Sequence, residues 1–151
     1  MPNSGRLKVL TPGERAYVSY GLEGCRGEVE HGYAQTMKAV ETLRKLEATQ
    51  GHLYYRERLT HTLITIMSEN QDTCLAANGG IGELMRVQDE AKKALEAGGM
   101  TTPLGTAAVL DMDKAIRSRG SSPSGSEVIL ACAVLIPELV NMRLTRSGYE
   151  E

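Results

Sequence analysis

The sequence contains neither tryptophan nor phenylalanine, and aromatic residues make up only 4% of it. Its core must therefore be assembled from Leu, Ile, Val, Met and Ala, with help from six tyrosines. Cysteines are scarce too, at positions 25, 74 and 132. An odd, widely spaced set makes no disulfide framework, and reduced thiols in a cytoplasm are the expectation. The apolar run Val128–Ile136 is nine residues long, short of a bilayer crossing. The opening MPNSGRLKVL lacks the apolar stretch of a secretory signal. No charge of one sign dominates: 17 basic and 19 acidic residues give a net charge of −2. That balance excludes wholesale polybasic binding to nucleic acid or membrane, while leaving room for a local basic face. The phosphate-loop, dinucleotide-fold, nucleophile-elbow and CxxC motifs are all missing.

What is present reads as helix. The 151 residues, 41% hydrophobic and 24% charged, suit one globular domain. Thr11-Pro12-Gly13-Glu14 has the order of a capping box with proline at the first helical position, predicting a helix over 12–22. Gly21, Gly24, Gly27 and Gly32 then leave room only for a short helix, 26–31. Helical periodicity resumes over 35–49 (Met37, Val40, Leu43, Leu46) and 52–69 (Tyr55, Leu59, Leu63, Ile66, Met67). Leu63-Ile64-Thr65-Ile66 alone could pass for a strand, but the longer period favours helix. Asn78-Gly79-Gly80 reads as a plain turn, although backbone amides before a helix can also cradle an anion. Further helices are expected over 81–97, 103–117 and 127–146, the last opened by a second capping box, Ser124 with Glu127. Pro137 should bend or restart it. The predicted fold is all-α with six or seven helices. Its segments are a helix-turn-helix-like part (1–51), a helical bundle (52–119), a mobile GSSPSGS linker (120–126) and an apolar C-terminal helix (127–151), together one compact domain.

Candidate chemistry is sparse. Glu28 with His31, and Glu57 with His61, have the spacing of metal ligands on a helix. A di-iron bundle, however, needs two Glu-x-x-His motifs and two more glutamates on four long helices. Asp111 and Asp113, two apart on a helix, point in different directions and cannot share one ion. Isolated cysteines are by default buried inert thiols. The expectation is therefore no metal, no cofactor and no enzymatic activity.

The remaining pattern is a short helix, a glycine turn at Gly32-Tyr33 and a helix over Gln35–Leu46 carrying basic residues, the order of a helix-turn-helix. Read so, Lys38, Arg44 and Lys45 neutralise phosphates, while Gln35 and Thr36 meet base edges. The same pattern also describes an amphipathic helix with a wet face. The run VILACAVLI is apolar on every side and must be covered. Ile129, Ala133 and Ile136 are thus the candidate contacts of a homo-oligomer.

Leu10-Thr11-Pro12-Gly13-Glu14-Arg15-Ala16-Tyr17-Val18, then His31-Gly32-Tyr33-Ala34, then the helix with Leu43 and Leu46, resembles the opening of phage terminase small subunits. The resemblance covers residues 10–59, a third of the chain. Tyr17 stands where that family has Phe, the loop before Gly32-Tyr33 is shorter, and an Asn-Ala-Thr stretch is missing. It implies a ring-forming, non-catalytic DNA-binding subunit of viral genome packaging, with Arg26, Lys38, Arg44 and Lys45 as its DNA contacts. Its partners would be double-stranded DNA and a larger motor or capsid subunit, in the host cytoplasm or virion, with no membrane involved. The alternative is a structural helical adaptor of a virion that makes no specific DNA contact.

Overall fold

The computed structural model describes residues 10–147, so the outer parts of the first and last expected segments, 1–9 and 148–151, lie outside the described residues. Among the described residues the chain is all-α, with seven helices and no strand. In order these are α1 (Pro12–Tyr20), α2 (Cys25–Glu30), α3 (Ala34–Thr49), α4 (Tyr55–Glu69), α5 (Thr73–Glu96), α6 (Pro103–Ser118) and α7 (Ser124–Ser147), with a 3₁₀ turn at Gly99–Thr101 before α6.

Capping chemistry sets most boundaries. The Glu14 amide donates to the Thr11 hydroxyl at 3.2 Å and the Thr11 amide to Glu14 Oε2 at 2.8 Å, completing the expected box. Thr102 caps α6 by accepting from the Gly105 amide at 3.0 Å. In α4 the box comes later than expected: the Tyr54 amide donates to Glu57 at 2.8 Å, so residues 52–54 precede the helix. This use of Glu57, and the acceptance of the Met100 amide by His61 Nδ1 at 3.2 Å, commits both members of that pair to structure.

Two apolar clusters meet on α4. One joins α1, α4, α5 and α6 through Ala16, Ile64, Met67, Leu84, Val87 and Ile116. The other joins α3, α4 and α7 through Ala39, Val40, Ile66, Ile129 and Ala133. Ile64 and Ile66 thus face opposite clusters, and this two-sided burial gives residues 63–66 their strand-like look. Arg119, at the end of α6, donates to Glu83 at 2.8 Å and to Glu90 at 3.1 and 2.8 Å, fastening α6 to α5.

Three expectations are corrected here. Asn78-Gly79-Gly80 is a kink inside α5, with Gly80 at φ 74° and ψ 179°, a backbone shape glycine adopts without penalty. Residues 124–126 of the expected 120–126 linker are the first residues of α7, with Ser126 fully buried. Asp72 Oδ2 accepts from the Ser126 amide at 2.8 Å and hydroxyl at 2.9 Å, Oδ1 accepts from the Cys74 and Leu75 amides, and Asn70 Nδ2 donates to Ser126 at 3.1 Å. One buried carboxylate therefore pins the starts of α5 and α7 together. Lastly, α7 is not enclosed on every side: Ile129 and Ala133, 3% and 1% exposed, lie in the chain's own core and need no partner, and Ile136 is half-buried. Val128, Leu135, Leu139, Val140 and Met142 face outward. The helix continues through Pro137, and its Ser124–Met142 stretch, of mean hydropathy 1.5, is long and apolar enough to cross a bilayer by length and composition. The nine-residue run understated it, because Glu127 and Glu138 interrupt a longer apolar average.

Candidate functional site

The glycine-punctuated segment 21–33 is the part of the chain least able to form long helices, and it builds one wall of a polar cleft. Gly24 has φ 56°, and a Cβ there would lie 2.8 Å from Thr73 Cγ2, so only glycine lets the start of α2 touch the start of α5. Gly27, buried on the next turn, would place a Cβ 2.7 Å from the Glu23 side chain. The second wall is the α4–α5 junction, Glu69-Asn70-Gln71. Between the walls lies a cavity of about 280 Å³, into which Glu23, Glu28, His31, Gln35, Glu69 and Gln71 open.

The carboxylates in this cleft do different work. Glu28 Oε1 accepts from the Gln35 amide at 2.9 Å; Oε2 accepts from the Thr36 amide at 2.9 Å and hydroxyl at 2.8 Å. It substitutes for a capping residue at α3, whose own cap position, Tyr33, sits in the left-handed region at φ 62° and makes no side-chain cap. Glu69 pairs with Lys38 at 2.8 Å. Glu23 is different: its carboxylate, 39% exposed, lies 3.5 Å from His31 Nδ1 and, among the described residues, makes no main-chain hydrogen bond. His31 Nδ1 is also 2.8 Å from the Gly27 carbonyl. A carbonyl can only accept, so in the neutral ring Nδ1 carries the proton and Nε2 keeps its lone pair.

Two further cavities adjoin the cleft. Along the α3–α4 groove, Gln35 and Glu69 are shared with a second cavity of about 280 Å³ bearing Lys38, Lys45 and Glu41. On the other side, Glu23 is shared with a more apolar cavity of about 450 Å³ between α1 and α2, formed by Tyr17, Val18, Leu22 and Arg26 among others. Glu23 thus stands between an apolar compartment and a polar one.

The residues expected to contact DNA scatter over this geometry. Thr36 is 1% exposed with its hydroxyl spent on Glu28, so it cannot reach a base edge. Gln35 and Lys38 line the clefts, Lys45 shares the α3–α4 groove, and Arg26 bonds Glu30 at 2.6 Å. Arg44 opens onto a separate groove against α7. A helix packed against both α4 and α7 offers no single basic face. Sequence reasoning missed Glu23, Glu69 and Gln71. Glu23 lies in a segment read only as turns, and the other two lie more than forty positions away. The one available signal was the density of charge among the glycines of Glu23-Gly24-Cys25-Arg26-Gly27-Glu28.

Comparison with known proteins gives a family match over residues 2–146, to the model described as CitG, ATP:dephospho-CoA triphosphoribosyl transferase. A probable 2-(5''-triphosphoribosyl)-3'-dephosphocoenzyme-A synthase of Vibrio cholerae serotype O1 (strain M66-2) is 36% identical over 132 residues, 87% of this chain and 42% of its own length. A 2-(5''-triphosphoribosyl)-3'-dephosphocoenzyme-A synthase of Klebsiella pneumoniae is 36% identical over 124 residues, 81% of this chain and 40% of its own. The chain spans about two fifths of the length of these relatives. No solved structure matches. These matches overturn the resemblance to terminase small subunits, the DNA-packaging and virion-adaptor readings, and the expectation of a non-enzyme. The residues behind that resemblance encode general helix geometry. Leu-Thr-Pro-Gly-Glu is a capped helix start, and Gly32-Tyr33 is a left-handed entry into α3, with φ of 70° and 62°.

Proposed function

The chain belongs to the ATP:dephospho-CoA triphosphoribosyl transferase family, and from that premise we propose that it takes part in moving a triphosphoribosyl group from ATP to dephospho-CoA. Atom balance defines the reaction. ATP without its triphosphoribosyl group is adenine, so the bond between ribose C1 and the base breaks. A new bond forms from C1 to a hydroxyl oxygen of dephospho-CoA, and the hydroxyl proton ends on adenine. Substitution at a sugar C1 passes through an oxocarbenium-like state, which a nearby carboxylate stabilises.

The observation that carries this reading is the position of Glu23. It borders both the apolar compartment and the polar cleft, and its carboxylate is not spent on main-chain amides. That suits a carboxylate at C1, where base and ribose meet. Glu28 is consumed in capping α3 and acts as a positioning residue. His31, beside Glu23, is the group suited to passing the proton from hydroxyl to leaving base. Lys45, in the adjoining groove, suits a phosphate oxygen, while Lys38 beside it is paired with Glu69. The cytoplasm, where both substrates are met, is the compartment this activity implies, and the three free thiols suit it. Self-association is part of the reading as well, supported by the outward apolar residues of α7 rather than by Ile129 and Ala133.

Incubation with ATP and dephospho-CoA, followed by chromatography and mass measurement, tests the proposal. The expected result is one adenine released per dephospho-CoA that gains a triphosphoribosyl group. Release of phosphate or diphosphate from ATP without adenine would overturn it.

A further inference from the structure

The transferase reading sets Glu23 at the border of the apolar compartment between α1 and α2 and leaves the other residues of that compartment without a role. Tyr17, on α1, is half exposed although it is an aromatic residue in a chain with few of them. The Arg26 guanidinium lies over its ring, 6.0 Å from the centroid. Arg26 is held in that place by Glu30, which accepts its Nε–H at 2.6 Å one helical turn away. Val18 and Leu22 add apolar surface to the same 450 Å³ cavity, and Glu23 forms its border with the polar cleft. A flat aromatic face, a guanidinium beside it and the apolar side chains of Val18 and Leu22 suit a planar heteroaromatic base, which stacks on tyrosine and on guanidinium alike.

We propose that the Tyr17–Arg26 compartment seats an adenine ring, with Glu23 at the edge where the attached ribose enters the polar cleft. The assignment rests on the transferase reading for the identity of the base. Both substrates of that reaction carry adenine, so the base seated here comes either from ATP, as the leaving group, or from dephospho-CoA.

Steady-state kinetics on Tyr17→Ala, Tyr17→Phe and Arg26→Ala test this, together with titration of free adenine followed by the NMR signals of the Tyr17 ring. Tyr17→Ala is expected to raise the KM of one adenine-bearing substrate about 10-fold, leaving kcat within about 2-fold. Tyr17→Phe, which keeps the ring, should restore it. A raised KM for ATP assigns the seat to the donor's base, and a raised KM for dephospho-CoA assigns it to the acceptor's. Free adenine should shift the Tyr17 ring signals in the wild type. Product formation with both KM values unchanged in Tyr17→Ala would overturn the seat and leave the transferase reading standing. Adenine shifting the Tyr17 signals in a protein that forms no product would support the seat and count against the transferase. No shift and no product would overturn both.

Discussion

Glu28 and Glu23 are five positions apart in one glycine-rich segment, yet they answer to different physics. Both oxygens of Glu28 are engaged with the first amides of α3 and the Thr36 hydroxyl. Glu28→Gln should thus cost roughly 1–2 kcal/mol of stability, because an amide can accept from only one side and leaves a donor unpaired. Urea denaturation measures this directly, and an unchanged midpoint would remove the capping role. His61 gives a second prediction, in pH. Burial lowers its pKa below 6.5. Below that pH the unfolded chain binds a proton that the folded protein resists, so this contribution to stability is complete above 6.5 and fades as pH falls toward the lowered folded value. Glu83 acts in a lower window. Burial works to raise its pKa, but hydrogen bonds from Arg119 and Ser121 and the Arg119 charge outweigh it and hold it below 4.5, so stability is lost as pH falls below that value. The melting temperature of His61→Gln, which keeps an acceptor for the Met100 amide, should depend less on pH between 7.5 and 5 than that of the wild type.

Among the elements, α4 and α7 show how far periodicity can be trusted. Helix starts marked by Thr11-Pro12 and Thr102-Pro103 are legible because a cap is a local event within one turn. The true reach of α7 was not legible, since the residue that fixes its start, Asp72, lies 54 positions from Ser126. Low-complexity composition around GSSPSGS suggested motion, whereas a buried carboxylate holds Ser126 by three hydrogen bonds in concert with Asn70. Removing that charge's partners, or the charge itself, should be expensive. Asp72→Ala, which leaves the Cys74 and Ser126 amides without an acceptor, is expected to destabilise by about 2–3 kcal/mol and Ser126→Ala by about 1 kcal/mol. Calorimetric unfolding of the two variants checks the order; Asp72→Ala at wild-type stability would dissolve the clamp. The strand-like Leu63–Ile66 run has a related explanation, because a helix between two apolar clusters loses its polar face.

At the scale of the whole molecule, the all-α class was readable from sequence while the site was not. The cleft joins residues 23–35 to residues 69–71, and no spacing rule connects them. Basic residues on α3 suggested one DNA-facing surface, but packing against α4 and α7 assigns Lys38 and Arg44 to different grooves. The inward turn of Ile129 and Ala133 likewise moves any self-association onto the outward residues of α7. Sedimentation should show an assembly larger than a monomer for the wild type, and Leu135→Asp should shift it to a monomer that keeps its helical far-UV signal, since Leu135 is exposed in the single chain. A monomeric wild type would contradict this. The central claim, however, is that Glu23 is the carboxylate acting at ribose C1, and one measurement addresses it most directly: the rate of adenine release by Glu23→Gln at saturating ATP and dephospho-CoA. The account predicts a fall in kcat of about 100-fold or more in a protein that melts as the wild type does. Adenine release at the wild-type rate by a folded Glu23→Gln would contradict it.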